Sequence, residues 1–230
     1  MGLRRCVCAA AVLLTCVSVS VSGAPGADVE PAQPKQRART PTVGMAFEDR
    51  LVREIIARSF PKLHDLDIRL KQFHSESDYF RTSFSAPRFL IGRKMRYYVR
   101  VNLEWRTQGA PVDGVRSILA HELAHIEELS RGKRIRLFRL TGLLFKAWTA
   151  RFERRADLTA LARDYGPGLK VYRTWLYDHV PVETLSEKQR DYFTPDEIDA
   201  ILAAAASRPD VFDYWYRQVP MNLTDIEAVR

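Results

Sequence analysis

Cysteine is nearly absent from this chain of 230 residues, and the three that occur, Cys6, Cys8 and Cys16, all lie in its first 16 residues. The sequence after them therefore has no thiolate to bind zinc, no cysteine nucleophile and no disulfide. Histidine is also scarce, with five residues. Two of those five belong to one short motif, described below, so the scarcity makes a chance occurrence less credible.

The start of the chain has the form of an export signal. Arg4 and Arg5 precede an apolar stretch over residues 6–21, and small residues follow. We expect a signal peptide over residues 1–23, or a membrane anchor if it is not cleaved, although this stretch is shorter than the roughly 20 residues that span a bilayer. The sequence ending at Cys16 loosely resembles a lipoprotein cleavage box, which would be lipidated at that cysteine. These patterns predict an exported protein of the periplasm or cell envelope.

Composition divides the remaining chain into a tether and one folded domain. Residues 24–44 contain four prolines and few large apolar side chains, which is typical of a disordered linker, and we expect the domain over residues 45–230. The formal charge of +8 comes from scattered basic residues, except around residues 131–139. We interpret it as a solvated surface and expect no nucleic-acid partner. Residues 131–149 are apolar with interspersed basic residues, which favours a buried helix or one associated with a membrane surface.

The sequence His121-Glu122-Leu123-Ala124-His125 is an HExxH motif. On a helix, this spacing places both imidazoles on one face, where they can bind a single metal ion with Glu122 beside them. Apolar residues recur at helical spacing around the motif, which predicts a helix from about residues 111–114 to Gly132. Farther along the chain, Glu153 and Asp157 form an acid pair with the same spacing of four residues.

Together the two motifs, within residues 112–164, resemble the gluzincin metallopeptidases, whose HExxH helix is followed by a helix with a Glu ligand and an Asp four residues later. The resemblance implies a zincin-like α+β fold, mainly helical, with a small N-terminal sheet and a C-terminal helical region. It implies one zinc ion per chain, bound by His121, His125 and Glu153. Asp157 would hydrogen-bond a ligand histidine, and Glu122 would be the general base in hydrolysis of a protein or peptide substrate.

Two questions stay open at this stage. The reaction needs a donor for the developing oxyanion, and the candidates are Tyr165, Tyr172, Tyr177 and His179. His179 is our first choice because it follows the second motif helix, although a purely structural histidine fits the sequence as well. The alternative function is a non-catalytic metal-binding envelope or membrane-associated module on the same fold. The intact Glu122 argues against it.

The remaining patterns predict secondary structure around these motifs. We expect strands over residues 66–73, 89–91 and 97–102, with residues 75–85 mostly loop that includes a short extended piece. By the resemblance, the strand over 97–102 could be the sheet edge that pairs with substrate, but an interior strand fits equally well. We expect helices from about Met45 to Pro61, through Glu153 as far as Tyr165, over residues 169–177, and from Thr194 to Ala206.

Overall fold

The structure, a computed structural model, describes residues 44–85, 87–88, 91, 94–131 and 146–229. The expected export segment over residues 1–23, with Cys16, and all of the expected tether except its last residue lie outside this part. Residues 132–145 of the apolar basic segment lie outside it too. Within it the protein is a mixed α+β structure, mainly helical with one small sheet, as the sequence predicts.

The main elements are one α-helix, three strands and then further α-helices, with a short 3-10 helix (Pro61–Leu63) before the first strand and a helical turn at residues 87–88 before the third. The strands are β1 (Asp67–Gln72), β2 (Phe80–Phe84) and β3 (Arg96–Val101). The α-helices are α1 (Ala46–Ser59), α2 (Glu104–Thr107), α3 (Val112–Arg131), α4 (Lys146–Leu161), α5 (Gly166–Tyr177), α6 (Val182–Asp191), α7 (Pro195–Ser207), α8 (Val211–Arg217) and α9 (Leu223–Glu227).

The sheet has the strand order β1-β3-β2. Strand β3 pairs in parallel with β1, where Ile68 lies opposite Tyr97, and antiparallel with β2, where Phe80 lies opposite Val101. Strand β3 is therefore the interior strand, and its interpretation as a sheet edge is wrong. The outer strands of the described sheet are β1 and β2, because each pairs only with β3 there.

Strand β2 lies in a stretch that the sequence predicted as mostly loop with a short extended piece. Its three middle residues, 81–83, are polar, and Phe80 is its one buried residue. Such a strand lacks the alternation that identifies β3, whose Tyr97, Val99 and Val101 all face the core. Of the strand predicted over residues 89–91, Ile91 lies in a turn and the other two residues lie outside the described part.

Helix α3 runs through the centre of the domain. Every residue from 114 to 127 is buried except Arg116, because α1, α4, α5 and β2 all pack around it. The apolar periodicity in the sequence had predicted this helix and its boundaries. Polar side chains on such a buried helix need partners. His121, Glu122 and His125 of the HExxH motif are among these buried polar residues.

The second motif helix ends earlier than predicted. Helix α4 ends at Leu161 rather than near Tyr165, and Asp164 adopts a left-handed conformation with φ of 69°. Residues 166–168, predicted as the stop between two helices, are instead the first turn of α5, where Pro167 is tolerated because its missing N–H has no partner in that turn. The predicted start of α7 is confirmed, with a capping box between Thr194 and Glu197.

Helix α6 was not predicted from the sequence. It buries none of its residues and so lacks an apolar face to reveal it. The aromatic segment over residues 212–216 lies in α8 and contributes the fully buried Trp215 to the core. None of the helices in the described ranges is long and apolar enough to cross a membrane.

Candidate metal centre

Three side chains from α3 and α4 converge on one point. The two Nε2 atoms of His121 and His125 are 3.1 Å apart, and Glu153 Oε2 lies 3.2 Å from the first and 2.9 Å from the second. Each residue offers one ligand atom, and these three atoms all lie within 4.8 Å of one another. This group could therefore hold a metal ion, and it consists of the three residues that the sequence predicted as ligands.

Asp157 connects the group to the rest of the core. Its Oδ1 lies 2.7 Å from His121 Nδ1 and also accepts a hydrogen bond of 3.0 Å from Arg173 Nη2, while its Oδ2 accepts one of 3.0 Å from the Phe193 N–H. The carboxylate is fully buried. When the His121 ring is neutral and donates from Nδ1, its Nε2 has the lone pair that a metal would use, so metal binding releases the proton that Nε2 otherwise holds.

The charges in this cluster stabilise one another. Burial has the largest single effect and disfavours an imidazolium, but Asp157, Glu153 and Glu122 together outweigh it and raise the pKa of His121 to about 9 in the metal-free protein. Burial would raise the pKa of Asp157, yet Arg173, His121 and the Phe193 N–H together hold that pKa below its usual range. The pKa of Glu153 is lowered in the same way, against its burial, by the two histidines. The carboxylates of Glu153 and Asp157 are therefore ionised at neutral pH. Glu153 needs its charge to bind a metal, and Asp157 needs its charge to accept the hydrogen bond from His121.

Glu122 lies beside the cluster and has an unsatisfied oxygen. The residue is 5% exposed, and its Oε2 has no hydrogen-bond partner among the described residues. Its backbone carbonyl accepts a hydrogen bond of 2.8 Å from Thr82 Oγ1, which joins α3 to β2. Glu122 also lines a small cavity of about 20 Å³, which is enough for one water molecule. A buried carboxylate oxygen without a partner needs a donor, and a water molecule in this cavity would supply it.

The four predicted oxyanion donors lie in different places. His179 stacks on Trp175, and its Nδ1 lies 2.7 Å from the Trp175 carbonyl oxygen and donates to it, so a neutral ring has only an acceptor at Nε2. Tyr165 shares a hydrogen bond with Ser59 Oγ. Tyr177 is partly buried, with no partner for its hydroxyl in the described part of the chain. Of the four, Tyr172 is the one that lines the cavity with Glu122.

Two further residues of the site, Tyr192 and Arg173, were not predicted from the sequence. Tyr192 lines the same cavity, and its ring centroid lies 5.8 Å from that of His121. Burial raises its pKa well above 10, so its hydroxyl is protonated at neutral pH. No motif spacing identifies it. Arg173, whose guanidinium carbon lies 4.2 Å from the Tyr192 ring centroid, did leave a signal, because it falls on the apolar face of α5.

The fold and this cluster together define a mainly helical α+β protein with a candidate metal centre between two core helices. Comparisons with protein-family models, with curated proteins and with solved structures found no match. The chemistry of the centre therefore follows from its own residues.

Proposed function

We propose that this protein is an exported zinc-dependent metallopeptidase of the gluzincin type. The observation that carries the proposal is the convergence of HExxH and ExxxD: three ligand atoms meet at one point, and Asp157 lies 2.7 Å from the outer nitrogen of His121. The burial of Glu122 beside the three ligands, with one oxygen unpaired in the described part, also supports it. A structural role alone would not explain why a carboxylate is buried there without a partner.

The donor set favours zinc. Two imidazole nitrogens and one carboxylate oxygen match the catalytic zinc sites that keep one position open, whereas calcium and magnesium prefer oxygen ligands. We infer one zinc ion per chain, bound by His121, His125 and Glu153. Bound there, zinc would supply a Lewis acid that lowers the pKa of a water molecule towards neutrality.

The remaining steps belong to side chains of this chain. Glu122 accepts the proton of the attacking water and delivers it to the leaving amine, and no covalent intermediate with the protein is needed. Asp157 keeps the His121 ring oriented throughout. A protonated hydroxyl is required near the developing oxyanion, and Tyr192 is the donor that we propose, because its ring lies 5.8 Å from that of His121. His179 stays a prediction, since its ring would have to be charged to donate from Nε2.

The substrate class follows from the surroundings of Glu122. In the gluzincins that this chain resembles, an edge strand binds extended substrate by main-chain hydrogen bonds. Because β3 is an interior strand here, we assign that role to β2. Thr82 of β2 contacts α3 at the backbone carbonyl of Glu122. We therefore propose an extended protein or peptide segment as substrate. Export to the cell envelope, and association with a membrane surface, remain part of the proposal.

The test is peptide hydrolysis by the purified zinc-loaded chain and by Glu122→Gln, with unfolded casein as a general substrate. We expect the wild type to release new amino termini and a chelator to stop it. The variant should keep its zinc but lose activity by about 10²- to 10⁴-fold, the usual contribution of a general base. The matched control is Glu128→Gln, on the partly exposed side of the same helix, which should stay active.

The outcomes separate the two candidate functions. Equal cleavage by wild type and Glu122→Gln would contradict the assigned base. Stoichiometric zinc without hydrolysis of any peptide by the wild type would favour the non-catalytic metal-binding module instead.

A further inference from the structure

The two ligand histidines are held in different ways. His121 donates from Nδ1 to the Asp157 carboxylate. His125 is also buried, at 5% exposed, but its Nδ1 has no hydrogen-bond partner among the residues that the structure describes. Ligand histidines usually donate this outer N–H to a carboxylate, a carbonyl or water, and that bond fixes the ring. Some other contact must therefore orient His125.

Aromatic rings contact the face of His125 instead. The Phe152 ring lies nearly parallel to the His125 ring, with centroids 4.5 Å apart and an angle of 20° between the planes. Trp148 continues the stack on the far side of Phe152, at 6.3 Å and 8°. The edge of the His121 ring meets His125 at 4.7 Å and 90°. These contacts fix the plane of the His125 ring. In that plane its Nε2 lies 2.9 Å from Glu153 Oε2.

The local sequence explains the arrangement. Trp148 and Phe152 are four residues apart on α4, so their side chains lie on one face, one turn apart. Phe152 also precedes Glu153 directly. The same helical turn therefore presents a metal ligand and the ring that packs on the other helix's ligand, which couples the geometry of the two.

We propose that Phe152 is the positioning residue for His125, doing by stacking what Asp157 does for His121 by hydrogen bonding. This rests on the proposed function, because it assumes a metal at Nε2. A metal there draws electron density from the imidazole and leaves the ring more positive. The face of a phenyl ring is negative, so the stack is stronger in the metal-loaded state than in the metal-free one. Phe152 accordingly raises metal affinity and does not only fill space.

The experiment compares zinc dissociation constants, measured by competition with a chelator, for three variants of the full chain. Phe152→Leu keeps an apolar side chain but removes the ring, and we expect zinc to bind about 3- to 10-fold more weakly, as the usual strength of an aromatic pair implies. Phe152→Tyr restores the ring and should bind within about twofold of wild type. Tyr214→Leu is the control, because it removes a partly exposed aromatic ring on α8, and it should also stay within about twofold.

A spectroscopic measurement separates positioning from general loss of structure. Cobalt substituted for zinc reports ligand geometry through its visible absorption, and we expect that spectrum to change in Phe152→Leu and to be recovered in Phe152→Tyr. Thermal unfolding of the metal-free proteins checks that the variants fold. Equal zinc affinity and an identical cobalt spectrum in wild type and Phe152→Leu would overturn the role of Phe152 alone. A wild type that binds no zinc would overturn the proposed function with it.

Discussion

His121 Nδ1 and Asp157 Oδ1 are 2.7 Å apart, although 36 positions separate the two residues in the chain. This contact joins α3 to α4 and turns two short motifs into one unit. Arg173 completes it from a third helix, α5, with a hydrogen bond of 3.0 Å to the same Asp157 oxygen. Three core helices therefore share a single buried carboxylate, and the orientation of a ligand histidine depends on all of them.

Replacing Asp157 by Asn tests this contact directly. The amide has nearly the same shape but no charge, so it cannot stabilise the metal-loaded histidine as well, and Arg173 loses its buried counter-ion. We expect zinc to bind about 10- to 100-fold more weakly, measured by chelator competition. Asp199→Asn, at an exposed site on α7, is the control. Equal zinc affinity in Asp157→Asn and wild type would show that the contact between Asp157 and His121 does not support metal binding.

The metal-free protein should lose stability as the pH rises from 6.5 to 9. The pKa of His121 is raised from 6.5 to about 9, mainly by Asp157 and against the effect of burial. A raised pKa gives a stabilisation that is complete below pH 6.5 and disappears as the pH passes 9. The melting temperature measured in chelator should fall over this interval, and Asp157→Asn should show a smaller fall. A wild type whose melting temperature does not fall relative to the variant would contradict the raised pKa.

Tyr192→Phe removes the hydroxyl proposed as the oxyanion donor and leaves the ring in place against His121 and Arg173. Because the donor acts in the transition state, kcat should fall by about 10²- to 10³-fold while KM changes little. Steady-state hydrolysis of one defined peptide measures both quantities. Tyr172→Phe, on the same cavity, is the comparison. If it alone lowers kcat, Tyr172 is the donor, and if neither variant does, the donor lies outside this cavity.

Gly168→Ala should destabilise the domain through the contact between α3 and α5. A Cβ atom at this position would lie 2.5 Å from the Asp113 carbonyl oxygen and would clash with the Ser117 hydroxyl, both on α3. Relieving such overlap usually costs about 1–3 kcal/mol, which urea unfolding measures. Lys170→Ala, at a partly exposed position of α5, should change the stability by less than about 0.5 kcal/mol. Two variants of equal stability would mean that the helices are not so close.

Much of the candidate centre was readable because its residues lie on helices with regular spacing. The HExxH and ExxxD patterns each fix which side chains share a face, and the apolar periodicity around them located α3. His121, His125, Glu153 and Asp157 could therefore be predicted as one cluster before any fold was known. Spacing of this kind fails for residues that reach a site from other elements. Tyr192 arrives from the turn after α6 and carries no local pattern.

The errors in the fold have physical causes of the same kind. Gly166-Pro167-Gly168 has the composition of a stop, but Pro167 fits a first helical turn and Gly168 permits close packing on α3, so the segment begins a helix. Strand β2 was predicted only as a short extended piece of a loop, because its middle residues are polar. The strand order could not be predicted from the sequence. The apolar pattern of β3 shows which face is buried, but it does not show whether neighbouring strands pair with one edge of β3 or with both.

Metal content is the most direct test of the central claim. Elemental analysis of the purified chain should give about one zinc per molecule. His121→Ala and Glu153→Ala should each lose it, because each removes a ligand from a different helix, whereas His74→Ala, at an exposed position, should keep it. Zinc that is absent from the wild type, or unaffected by Glu153→Ala, would contradict a centre built between α3 and α4.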